Sequence, residues 1–231
     1  MTIPTELAHQ PHSRTGLAGV VAALVMALSL ALAPAAHAYA DDDVVRDLTI
    51  SHVLDAEGNL RVTETFQWDF GDREGLGFYR TLVRRMAYEP DPSKERVLMY
   101  SNFEVESPSG APAELWREDS GEGAEVVLAI GAPDGSSDTR TGVQTYVLSY
   151  EVAGAVNAVR DQAGVADADE LFYNVFGDSP NQVDAVSVTV TGPAEVIDVA
   201  CYQGPSGSTD ACGSYAASGS TATFTAEQMG S

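Results

Sequence analysis

Leu60-Arg-Val-Thr-Glu-Thr-Phe-Gln-Trp-Asp-Phe70 decides how this chain folds. Apolar side chains return at every second position, as Leu60, Val62, Phe66, Trp68 and Phe70. A period of two marks a strand with one face on a core. Upstream, Leu48, Ile50, His52 and Leu54 alternate in the same way, and Asp55-Ala-Glu-Gly-Asn59 between the two runs is a turn. Together they predict a long β-hairpin with a glycine-containing loop.

Glu64 is the odd member of this strand, because it falls on the apolar face between Val62 and Phe66. A buried carboxylate needs a partner. Arg80, Arg84 and Arg85 are the nearest candidates in sequence. We expect an internal ion pair between Glu64 and Arg80 that pins residues 71–92 to the hairpin. A functional pocket, or plain exposure at a strand end, are the other readings of Glu64.

Outward from the hairpin, residues 71–92 break the alternation with Gly75 and Gly77 and predict a loop with a short extended piece. Val97, Met99, Phe103 and Val105 suggest a strand, and residues 113–117 and 125–130 two more. Tyr146, Leu148, Tyr150 and Val152 line one face of another. Val186, Val188 and Val190 form a strand ended by Gly192-Pro193, and residues 196–201 and 221–225 close the set. Residues 154–169 are the best helix candidate, with Ala155, Val156, Val159 and Ala163 near helical spacing. About nine short strands with at most one helix predict an all-β fold, an antiparallel β-sandwich of immunoglobulin-like or jelly-roll-like type.

The first forty residues read differently. Arg14 precedes a nearly unbroken apolar run over residues 17–32, and Pro34 ends it. Ala36-His-Ala38 and Ala38-Tyr-Ala40 are small-x-small cleavage sites. This is the layout of a signal peptide over residues 1–40, cut after Ala38 or Ala40. The run is shorter than the roughly 20 residues that span a bilayer comfortably. The expected product is an exported domain over residues 41–231.

The formal net charge is -22. Phosphate backbones and anionic lipid headgroups repel such a surface, so nucleic acid is excluded as a partner and direct adhesion to anionic lipid is disfavoured. Solubility explains most of this charge, and a cation-binding or cationic-partner role is the functional alternative.

Cys201 and Cys212 both fall in the exported part and predict a disulfide closing a Gly/Ser-rich loop. His9, His12 and His37 belong to the leader, which leaves His52 as the single histidine of the exported part. That excludes a multi-histidine zinc site. A Ser-His-Asp triad would need His52, which shares a strand face with Ile50 and Leu54 and reads as packed.

Carboxylates are abundant, but no pair stands out for two-acid hydrolysis. Asp134-Gly-Ser-Ser-Asp138 and Asp167-Ala-Asp169 are weak calcium candidates without the EF-hand spacing. Neither a phosphate-binding glycine loop nor a G-x-S-x-G elbow occurs, so no cofactor is expected.

An ordered set of motifs resembles a known family. Gly58-Asn-Leu-Arg-Val-Thr-Glu64 is similar to the "dG-x-l-x-V-x-E" opening of domain-of-unknown-function family 2207, and Gly77-Phe-Tyr-Arg80 resembles its "hG-i-x-R" element. Tyr146-Val-Leu-Ser-Tyr-Glu-Val152 resembles its "Y-x-l-x-Y-x-v" strand, and Glu170-Leu-Phe-Tyr-Asn-Val-Phe-Gly177 its "e-l-y-W-n-v-i-G" element. Residues 186–193 resemble the strand that follows. Tyr173 stands where the family usually has Trp, and Ser179-Pro180 replaces a second Trp. The resemblance implies the extracytoplasmic β-sandwich domain of a bacterial membrane protein, followed in such proteins by transmembrane helices. The last residues, 224–231, resemble the point before the family's final strands, which implies a fragment anchored through a membrane segment absent from this chain.

The expected function is a non-catalytic exported module with a binding, sensing or scaffold role towards a protein or cell-envelope partner. A carboxylate-based cell-envelope hydrolase is the alternative, motivated by the many acids and the exported location.

Overall fold

The computed structural model describes residues 42–88, 93–160, 167–175, 181–204 and 208–229. The leader and its cleavage sites lie outside the described residues.

Val44–Leu54 (β1) and Leu60–Asp69 (β2) form the antiparallel hairpin. Its turn is held by Asp55, whose carboxylate accepts from the Glu57 and Asn59 amides at 3.0 and 2.8 Å. Gly58 takes φ +86° there, where a side chain would be strained. Along β2, Leu60, Val62, Glu64, Phe66 and Trp68 are all buried.

The following strands are Gly77–Val83 (β3), Arg85–Ala87 (β4), Glu95–Val97 (β5) and Met99–Glu106 (β6). Glu114–Ser120 (β7) and Glu125–Gly131 (β8) flank a short 3-10 turn, and Val143–Ala153 (β9) is long. Val156–Val159 (β10), Ala168–Leu171 (β11) and Gln182–Thr191 (β12) follow. Tyr202–Gln203 (β13), Asp210–Ala211 (β14), Ser214–Ser218 (β15) and Thr221–Met229 (β16) complete the set.

Two sheets make the sandwich. The larger has the order β15-β16-β12-β1-β2-β9-β6, and the smaller the order β3-β8-β7. Their inner faces supply one core. Trp68 and Tyr146 of the large sheet hold Phe78 of the small one, with ring centroids 4.1 and 5.1 Å away. Leu128 and Ile130 from β8 and Leu148 and Val152 from β9 are fully buried beside them. Each such side chain contributes roughly 1.5–3 kcal/mol relative to exposure.

The large sheet is antiparallel except at one pair. β1 runs parallel to β12, from Val44 opposite Gln182 to Val53 opposite Thr191. Parallel neighbours need a long crossover, and here most of the domain is that crossover.

Three local expectations are corrected. Within residues 71–92, expected to be a loop with a short extended piece, Gly77–Val83 is a full seven-residue strand. Gly77 lies opposite Gly131, and a Cβ on Gly77 would stand 2.0 Å from the Ile130 carbonyl oxygen. The glycine is required by close backbone approach inside a sheet, so it does not break the strand. The helix expected over residues 154–169 is absent from its described part, where Val156–Val159 pairs with Ala168–Leu171. β-branched residues and a left-handed Gly154 at φ +87° favour a hairpin over a helix start. Residues 161–166 of that stretch lie outside the described residues. Residues 196–201 hold no strand, and pairing begins only at Tyr202.

Candidate functional site

The densest polar chemistry of the described residues lies inside the core, where β2 faces β3. The period of two places Glu64 on the inner face of β2, opposite Ile50 on β1 and Leu148 on β9. It is 1% exposed. Arg80 projects from the facing strand β3, itself buried. Its Nε donates to Glu64 Oε2 at 2.8 Å and its Nη2 to Glu64 Oε1 at 2.8 Å. This two-pronged arrangement is the geometry for which guanidinium and carboxylate are matched. Nη1 donates to the Thr81 carbonyl at 2.9 Å, and Nη2 also donates to the Val175 carbonyl at 2.7 Å. Arg80 thereby ties the small sheet, the large sheet and the segment after β11 to one point.

Three tyrosines complete the cluster. Tyr150 of β9 donates to Glu64 Oε1 at 2.7 Å, and its oxygen lies 3.1 Å from the Tyr173 hydroxyl. Tyr100 of β6 donates to the Val83 carbonyl at 2.7 Å. His52 of β1 meets the Tyr173 ring edge-on, centroids 4.9 Å apart. His52 is buried, and its Nε2 has no hydrogen-bond partner among the described residues.

Burial opposes the Arg80 charge, but the Glu64 carboxylate overrides it and holds the guanidinium above its ordinary range. Burial pushes the Tyr100, Tyr150 and Tyr173 hydroxyls up, reinforced by the Glu64 charge, so they stay protonated donors. Burial also holds His52 down at about 4; Glu64 pulls it upwards and Arg80 pushes it down. At neutral pH the cluster therefore contains one closed ion pair, neutral phenols and a neutral imidazole. Both Glu64 oxygens are engaged, and both side chains of the pair are buried.

The other two arginine candidates turn outward. Arg84 donates to Asp119 at 2.8 Å and Arg85 to Glu95 at 3.0 Å, both on the surface. One acid of each acidic run is paired as well. Asp138 pairs with Arg140 and Asp169 with Arg160. Cys201 and Cys212 stand at disulfide distance, with Cα atoms 5.5 Å apart, beside the β13–β14 pair.

A second polar knot has no counterpart in the sequence reading. Asp43 is buried and accepts from Trp68 Nε1 at 3.0 Å and Arg73 Nε at 3.1 Å. Asn181 donates to the Asp43 carbonyl at 3.0 Å. In sequence, Asp43 is the last of three aspartates and looks like solvated charge. Only the alternation that buries Trp68, whose indole N–H needs an acceptor, hints at it. A cleft of about 200 Å³ alongside is lined by Arg46, Asp69 and Arg73, but Arg46 is already shared between Asp69 and Asp184.

Among solved structures the chain is similar to yeast LTA4 hydrolase, with TM-score 0.42, 14% identity, and coverage of 81% of this chain and 27% of that one. It is similar to an M1 zinc metallopeptidase from Deinococcus radiodurans, with TM-score 0.38, 13% identity and coverage of 81% and 39%. A putative protease from Parabacteroides distasonis gives TM-score 0.38, 8% identity and coverage of 83% and 36%. The chain thus spans well under half the length of these structures. No curated protein matches it. One family model, described as the N-terminal domain of a predicted membrane protein, DUF2207, matches residues 45–230. With almost the whole described β domain inside that match, the chain belongs to the DUF2207 family.

Proposed function

We propose that this domain is a non-catalytic, extracytoplasmic module of a membrane protein, with a binding, sensing or scaffold role. The observation that carries the reading is the closure of the Glu64–Arg80–Tyr150 cluster. The buried Glu64 carboxylate is saturated by two guanidinium bonds and a phenol, so it braces two sheets and is not offered to a substrate. Elsewhere, Asp119, Asp138 and Asp169 pair with surface arginines. The family match supports membrane association, and the leader supports export. Work done by such a domain falls to its outer faces.

The test uses the full chain expressed with its leader. Mass spectrometry of the exported product checks cleavage after Ala38 or Ala40. The purified domain is then incubated with isolated cell-envelope polymers and proteins. Retention on a component without release of soluble fragments is the expected result. Fragment release that persists in a Glu64→Gln variant would instead favour the envelope-hydrolase alternative acting through surface carboxylates.

A further inference from the structure

The outer face of the small sheet carries two large aromatic side chains at one level. Tyr79 on β3 and Trp116 on β7 are both register partners of Ala129 on β8. Register partners project to the same side of a sheet. Phe78 and Arg80, the neighbours of Tyr79, point into the core, so Tyr79 and Trp116 point out. They are 52% and 46% exposed. Two strand spacings put them roughly 10 Å apart, and the small Ala129 keeps the floor between them low. Exposed aromatics grouped on a rigid strand face are a recognition feature, whereas single ones are ordinary.

The charges around this pair are of one sign. Glu114 and Glu118 lie two residues to either side of Trp116 on the same face, exposed. Glu125, opposite Val83 and Ser120, is the third charged residue of the face. The basic residues of these strands lie on the other side. Arg80 is in the core, and Arg117 lies over the Phe103 ring at 5.3 Å. The face is therefore two π surfaces framed by carboxylates, on a chain of net charge -22.

We propose that this face docks a basic, extended segment of a partner polypeptide, with its Lys or Arg side chains stacked on Trp116 and Tyr79 and their charges met by Glu114 and Glu118. Cation–π attraction is strongest on indole and is shared by phenol. The acidic surface as a whole speeds the approach of such a segment and repels anionic competitors. In an extended chain roughly three residues span the distance between the two rings. The inference rests on the reading of the domain as a binding module and names its partner's chemistry.

Trp116 is exposed and Trp68 is sealed against Asp43, so quenching of tryptophan emission reports the outer face. The full chain is titrated at 0.15 M salt with an arginine/lysine decapeptide and with a charge-balanced lysine/glutamate decapeptide. Saturable quenching by the basic peptide alone is expected. By calorimetry, Trp116→Ala, Tyr79→Ala and Glu118→Gln should each weaken binding by about 3- to 10-fold. Glu57→Gln in the β1–β2 turn, an equal loss of charge, should leave it within twofold. Equal affinity of Trp116→Ala and the unaltered chain overturns the proposal. So does a Glu57→Gln loss as large as that of Glu118→Gln, since binding would then be diffuse attraction. These variants sit on an exposed face, and unchanged near-ultraviolet circular dichroism verifies their folding. Absence of peptide binding alongside retention on an envelope component sinks this inference and leaves the binding-module reading standing. Polymer hydrolysis sinks the parent reading itself.

Discussion

Glu64 and Arg80 are joined by two hydrogen bonds of 2.8 Å that cross the space between the two sheets. Their strands are the facing walls of the sandwich, so this pair fixes the small sheet on the large one in a way that non-directional apolar contacts do not. Removing either partner leaves the other as an uncompensated buried charge. Glu64→Ala and Arg80→Ala are each expected to cost about 3–5 kcal/mol in urea unfolding. The double variant should cost far less than the sum of the two. Additive losses would show that the pair does not act as a unit.

Tyr150 and Tyr173 look equivalent in composition but not in partners. Tyr150 donates to the Glu64 carboxylate, whereas Tyr173 meets neutral groups, the Tyr150 and Tyr100 hydroxyls and the His52 ring. Tyr150→Phe should cost about 1–3 kcal/mol, because a bond to a charged acceptor is lost in the core. Tyr173→Phe should cost less. The order of the two denaturation midpoints is the measurement, and its reversal would shift the anchoring role to Tyr173.

His52 sets a pH dependence. Folded, it titrates at about 4, with Glu64, Arg80 and Tyr173 facing it; unfolded, it titrates near 6.5. Between those values the unfolded chain binds more protons. Stability that is full above 6.5 therefore falls as pH drops towards 4, by about 3 kcal/mol from this group. Urea unfolding at several pH values measures the slope. His52→Leu should flatten it between pH 5 and 6.5, where carboxylates contribute little, and an unchanged slope there would assign it to other groups.

The Cys201–Cys212 link closes a short exposed segment beside β13 and β14. Cys201→Ser with Cys212→Ser, or reduction, should lower stability by about 2–3 kcal/mol at most. Amide exchange in the β1–β2 hairpin should follow the global loss alone, because the segment lies apart from the main core. Selective loss of protection in the hairpin would place the link closer to the core than its exposure implies.

The alternation from Leu60 to Phe70 is legible because it depends on a local period, and the β-sandwich follows from several such periods in one chain. The buried Glu64 is legible for the same reason, as an exception within a pattern. What escapes is set by contacts distant in sequence. Gly77 reads as a break because its reason, Gly131, lies 54 positions on. Asp43 reads as solvated because Trp68, Arg73 and Asn181 reach it only after folding. The Tyr150 hydroxyl is aimed by its strand, but its acceptor belongs to another strand of the sheet. Residues 154–159 carry spacing compatible with either helix or strand, and the hairpin partner at Ala168–Leu171 decides between them.

The parallel seam between β1 and β12 bears on the order of assembly. β1 emerges first from synthesis and pairs at once with β2, a neighbour across a five-residue turn. Its other edge must wait for Gln182–Thr191, nearly 140 positions later. Until then the middle of the finished sheet is an open rim, bearing unpaired amides and carbonyls and the apolar side chains Val45, Leu48 and Ile50. Closing so long a loop is slow, since its entropy is lost before its contacts are gained. This domain must therefore spend its early life as a half-sheet. A chain interrupted before residue 182 keeps a sticky rim that invites aggregation, while one extended past residue 191 can seal it.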